Sequence, residues 1–205
     1  MGITRALAEL AVQVTDSQIQ EAARVAAKKA ILDSLGTGLA GWREGGVKPV
    51  LEQMRYWGGR GEATVLTYGG ALPAPNAAFV NSVMVHALDF DDIHSEANLH
   101  IMSSVLPVSL AAAEIRGSSG LDLIAAVTLG VEVAARIGVP ASEARMDRGF
   151  LPASTVGGFG ATAAACRLLG LDADHTHHAL GIFYAQTSGN RQALMDMSLT
   201  KRMQP

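Results

Sequence analysis

The chain has 205 residues, 49% of them hydrophobic, 17% charged and only 5% aromatic, with a formal net charge of −3. A mean hydropathy of +0.23 and a pI near 6.0 exclude a disordered chain and remove the electrostatic case for nucleic-acid binding, which needs clustered Lys and Arg. So few aromatics leave Ala, Leu and Val to fill the core, and small side chains favour close-packed helices over a β-sandwich. Cys166 is the single cysteine, which rules out an intrachain disulfide or a cysteine-based zinc site and fits a cytoplasmic location. The N-terminal stretch carries Arg5 and Glu9 and lacks the pattern of an export signal. The apolar runs Leu121 to Val139 and Leu151 to Leu171 are interrupted by Asp122, Glu132, Arg136, Arg167 and several Gly, so they read as buried helices and no membrane partner is expected.

In chain order, Thr15 and Gln18 have capping-box spacing, and apolar residues recur at helical period from Ile19 to Leu35, ending near Gly36 to Gly41. Pro49 to Trp57 reads as a shorter helix stopped by Gly58. Ala63 to Tyr68 is β-prone and bounded by Gly69, Gly70, Pro73 and Pro75, which allows one extended segment or hairpin. Asn76 to Phe90 is helical, Asp91 to His100 a polar loop, and Ser103 to Ile115 helical again. Ser119 is placed to cap a helix from Leu121 to Ile137 that Gly138 and Pro140 should end. Helices are expected over Ser154 to Leu169 and Asp174 to Gln186. Gly157, Gly158 and Gly160 within the first of these make sense if another backbone packs against that face. The expected class is all-α, a multi-helix bundle with at most a short β segment near 63–68, occupying 1–205.

The densest polar cluster is HALDFDDIHSEANLH, which holds His86, Asp89, Asp91, Asp92, His94, Glu96 and His100. It has three readings. His86 satisfies a core position above a solvated acidic loop; or carboxylates and imidazoles bind a metal, although no HExxH spacing is present; or the cluster transfers protons. For the last, His86 and Asp89 are three apart and share a helix face, and the loop can carry His100 back over Asp89. Lys201 and Arg202 are either a solvated basic pair or, if they face that loop, cations that stabilise an enolate-like charge. Nucleotide-binding glycine motifs and a GxSxG elbow are absent, and Cys166 sits among apolar neighbours as a core thiol. His175, His177 and His178 read as a polar first turn rather than a metal site. The Met195, Met197 and Met203 run reads as packing or an interface.

The blocks HALDFDDIH, LHIMSSVLPVSLAAAE, RGFLPASTVGGFGATAAACRLLGL, HALGIFYAQTSGN and LTKRMQP, in this order, resemble the MmgE/PrpD family across essentially the whole chain. The family includes 2-methylcitrate dehydratase, cis-aconitate decarboxylase and iminodisuccinate epimerase. The resemblance implies the helical domain of a homodimeric enzyme without metal or organic cofactor. It also implies a smaller C-terminal α+β domain that this chain lacks, so the sequence is expected to be truncated after 205. By the same resemblance Asp89, His100 and Lys201 take the catalytic positions, with His86, Ile93, Leu151 and Arg202 at the substrate. Ile93 replaces a Thr of the decarboxylase-like members and Leu151 a His of many members, which makes the expected pocket more apolar. The expected function is a lyase, of dehydratase type, that removes a proton beside a carboxylate of a small di- or tricarboxylate. An epimerase or isomerase, and a helical binding or dimerisation module without catalysis, are the alternatives.

Overall fold

A computed structural model describes residues 2–204, with the side chains of 143–147 outside the described set. It is an all-helical packing with one two-stranded hairpin. The first helix, α1 (Ile3–Gln13), buries Ala8 and Ala11. The Thr15–Gln18 capping box forms, but it caps a single 3-10 turn; helix α2 (Glu21–Gly41) starts three residues later. Helix α3 (Val47–Trp57) ends at Gly58, whose φ of 70° suits glycine. The hairpin pairs β1 (Ala63–Thr64) with β2 (Ala71–Leu72), antiparallel, Ala63 opposite Leu72. Asn81 ties it to the next helix by accepting from the Leu66 N–H (2.9 Å) and donating to the Thr64 carbonyl (2.9 Å).

Helices α4 (Ala74–His86) and α5 (Met102–Arg116) form the centre. Pro107 lies inside α5, where its missing N–H frees the carbonyl four residues back. That carbonyl, of Ser103, accepts the Ser82 hydroxyl of α4 at 2.7 Å, so the proline is compensated by the neighbouring helix. Leu106, Val105, Met84 and Val80 are fully buried around this contact, each large side chain contributing about 1.5–3 kcal/mol of burial.

Helix α6 (Gly120–Asp147) opens on a reciprocal cap: the Ser119 N–H donates to Asp122 Oδ2 (2.9 Å) and the Asp122 N–H to Ser119 Oγ (3.2 Å). It does not stop at Gly138 and Pro140 as the sequence suggests. Gly138 serves packing instead: a Cβ there would come within 2.8 Å of the Ala97 Cβ, so the helix runs on against the loop. Gly120–Ser142 is long and apolar enough to cross a membrane, with mean hydropathy 1.6. In the fold Ala125, Ala126, Val127, Val133 and Ala134 of this helix are buried in the bundle. A π-type turn (Ala153–Gly157) leads into α7 (Gly158–Leu169). As the glycines implied, α7 meets α6 backbone to backbone: a Cβ on Gly160 would lie 2.5 Å from the Gly130 carbonyl oxygen and 2.9 Å from the Ala134 Cβ. Helix α8 (Ala173–Gln186) is capped by Asp172, which accepts the His175 N–H at 2.8 Å. A short α9 (Gln192–Met195) and a 3-10 turn (Leu199–Met203) return the chain to α4.

Candidate active site

Helix α4 ends at His86, and the chain then turns sharply. Asp89 adopts a left-handed backbone (φ 55°), which costs a non-glycine residue about 1–2 kcal/mol, although Asp tolerates it better than most. Between 94 and 99 the loop closes on itself through an isolated bridge, His94 N–H to Leu99 O at 2.9 Å. Asp92 then accepts the Met102 N–H at 3.0 Å and so caps α5. These local bonds swing His100 back over the end of α4, as the proton-transfer reading requires.

The result is a compact cluster. Asp91 is fully buried and takes His86 Nδ1 on both carboxylate oxygens, at 3.1 and 3.0 Å. His100 Nδ1 lies 3.4 Å from Asp91 Oδ1. The two rings meet edge to face, centroids 5.2 Å apart. His86 Nε2 and His100 Nε2 both point toward Asp89 Oδ1, at 3.9 and 3.8 Å, and Lys201 Nζ donates directly to the same oxygen. Lys201 arrives from 112 residues away on the 3-10 turn. Arg202 clamps that turn, donating from Nη1 to the Gly45 carbonyl at 2.6 Å and lying 3.4 Å from Glu44.

Electrostatics follow from these contacts. Burial opposes ionisation of Asp91, but the close approach of the His100 and His86 rings outweighs it and holds its carboxyl far below the ordinary range. His100 is raised, first by Asp91 and against burial, with help from the Asp89 charge. Asp89 is lowered because Lys201, then the two histidines, overcome its partial burial. Asp92 goes the other way: burial pushes it up to about 6, the Asp91 charge adding to the effect against its bond to Met102.

A cavity of about 140 Å³ opens on this cluster, walled by His86, Asp89, Asn98, His100, Leu151 and Lys201. Leu151 is brought in because 149–151 pairs with 189–191 through Arg191 N–H to Gly149 O at 2.7 Å and a Phe150–Asn190 bridge. Thus Asp89, His100, Lys201, His86 and Leu151 come together, while two expected substrate residues do not. Ile93 is 57% exposed on the loop surface, and Arg202 is spent on the Gly45 anchor. Sequence reasoning missed the wall residue Asn98 and the part played by Asp91 behind the two histidines. Asn98 gave no spacing signal; its left-handed backbone (φ 46°) is a property of the folded loop. Asp91 was visible only as one acid among several.

A larger cavity, about 670 Å³, lies between α4, α5, α7 and α8, but Ala, Val, Phe and Leu form most of its wall. Its one thiol, Cys166, is buried and pushed up by that burial, whereas the ionisable cluster opens on the smaller cavity. Ligand atoms of His86, Asp89, Asp91 and His100 all lie within 4.8 Å of one another, close enough to hold a metal ion. A metal there would have to displace the Lys201 ammonium from Asp89.

A helical domain that gathers two imidazoles, two carboxylates and an ammonium at one cavity has the components for moving a proton next to an anionic group. The sequence matches the MmgE/PrpD N-terminal domain over residues 5–205, and the chain belongs to that family. It is 31% identical, over 98% of its length, to the cis-aconitate decarboxylase-like protein oryM of Aspergillus oryzae, covering 43% of that protein. It is 39% identical to the cis-aconitate decarboxylase of Mus musculus over 76% of its length, and 37% identical to that of Homo sapiens over 82%. It covers 33% and 35% of those two proteins, so the chain spans less than half the length of the curated relatives it matches.

Proposed function

We propose that the chain supplies the proton-transfer half of a lyase site for a small di- or tricarboxylate, with reaction passing through a carbanion beside a carboxylate. The observation that carries this reading is the convergence of His100, Asp89 and Lys201 on one small cavity. His100 moves the proton at Nε2, and the Lys201–Asp89 pair supplies a cation for the substrate carboxylate and the developing negative charge. The relatives' names favour decarboxylation over the dehydration expected from sequence: the C–C bond to the leaving carboxylate breaks, CO₂ departs, the electron pair stays on the substrate, and the His100 imidazolium delivers its Nε2 proton there and becomes neutral. Metal independence is part of the proposal, supported by the ammonium already paired with Asp89. So is a homodimer, supported by the exposed Met195, Met197 and Leu199.

The test is turnover of cis-aconitate by the full gene product after chelation, with product identified by NMR. His100→Ala and Lys201→Ala should each lower kcat/KM by about 10²–10⁴-fold. Full activity in both variants, or activity that returns only with stoichiometric metal, would sink the reading. Deuterium exchange into recovered substrate with no CO₂ or water lost would point to epimerisation instead. Leu151 favours one second reading: it puts hydrocarbon where many family members have His, and a folded protein without turnover on any di- or tricarboxylate would support a binding module.

A further inference from the structure

We infer that Asp91 is a positioning residue: it hydrogen-bonds His86 Nδ1, lies 3.4 Å from His100 Nδ1, and so turns both Nε2 atoms toward Asp89 and the cavity. The geometry is specific. Asp91 has no exposed side-chain surface, while His86 is 1% and His100 25% exposed. A buried ionised carboxylate accepts hydrogen bonds and donates none, so the nearer Asp91 contacts place the proton of each neutral imidazole on Nδ1; Asp89, also a carboxylate, is farther from both Nε2 atoms (3.9 and 3.8 Å) and is already paired with Lys201. What remains on each ring is an Nε2 lone pair. His86 Nε2 is buried without a hydrogen-bond partner among the described residues, and it faces the same Asp89 oxygen as His100 Nε2. Two rings with different backbone origins, one from a helix end and one from a loop, thereby present the same atom to one point. Asp91 does not itself line the cavity but lies behind His86 and His100, which do, so its action runs through the histidines. The 3.4 Å His100 contact is long and its alignment poor for a hydrogen bond; such bonds commonly tighten only around bound substrate.

The kinetic part of this inference rests on the lyase reading; the tautomer part does not. In the gene product labelled with ¹⁵N-histidine, at a pH where the rings are neutral, His100 and His86 should both show a protonated Nδ1 and a bare Nε2. Asp91→Asn should keep the fold by circular dichroism yet lower kcat by about 10²-fold or more, with KM within about threefold. The groups facing His100 are Asp89, Asp91, Asp92, His86 and Lys201. Removing the Asp91 charge from that set should move the pH limb governed by His100 to lower pH, by about one pH unit. Asp91→Glu should restore part of kcat. An Nε2-protonated neutral His100 would overturn the inference, as would an Asp91→Asn enzyme whose activity falls only with its folded fraction and whose pH limb stays in place. If Asp91→Asn does not fold, the tautomer measurement on the unaltered protein decides. If His100→Ala retains activity, the lyase reading fails while the tautomer result still stands or falls alone.

Discussion

The α6–α7 crossing and the cavity at the end of α4 solve opposite problems. At the crossing, Gly130 and Gly160 remove every side-chain atom so that two backbones touch. At the cavity, five ionisable side chains are pressed together, two of them with almost no access to water. The first arrangement lowers the free energy of the fold through contact alone. The second spends stability: Asp89 sits in a left-handed backbone and Asp92 is half-buried with a raised pKa. Strain and desolvated charge gather where chemistry is proposed, and the glycine crossing offsets them.

That contrast can be broken by substitution. Gly160→Ala should have the largest effect on stability, about 3 kcal/mol, because the new methyl meets a carbonyl oxygen and a Cβ on a rigid helix rather than a flexible side chain. Urea unfolding measures it, and a loss below the few tenths expected from a surface change would show that the crossing is looser than described. Next comes Asp92→Asn, on the order of 2 kcal/mol more stable than the parent at pH 8. The sign follows from the raised pKa. Folded Asp92 holds its proton to about pH 6, above its ordinary 3.8, so its contribution is full below 3.8 and lost as pH rises through 6. Asn keeps the acceptor for the Met102 N–H and removes that loss, so the variant should flatten stability between pH 4 and 6. An unchanged pH profile would contradict the burial of that carboxyl. Ser119→Ala is the smallest, about 1 kcal/mol from the lost α6 cap, read as a lower melting temperature with turnover untouched.

How much of this was legible in the sequence differs between the two regions. The glycines of α7 announced a close approach, because nothing else excuses three glycines in an apolar helix. Their partner Gly130 could not be named without the crossing itself. In the site, the loop that returns His100 was readable from HALDFDDIHSEANLH, since its turns and bonds are local. Arg202 could not be told from Lys201 because adjacent basic residues look alike in one dimension. Only the 3-10 turn decides that Lys201 faces Asp89 while Arg202 faces Gly45. The end of α6 was misread for a related reason: glycine and proline signal a stop only when no neighbouring segment rewards continuation.

By itself, then, the sequence determined the helical class, the hairpin region, the caps at Thr15 and Ser119, and the chemical identity of the polar cluster. These depend on spacing and composition, which local physics translates directly. Tertiary structure decided which acid is buried between the histidines, which cation reaches across the chain to Asp89, and that Leu151 rather than Ile93 walls the cavity. Those outcomes depend on burial and on contacts between distant segments, and charge and hydrogen bonding take their strength from burial that no stretch of sequence specifies alone.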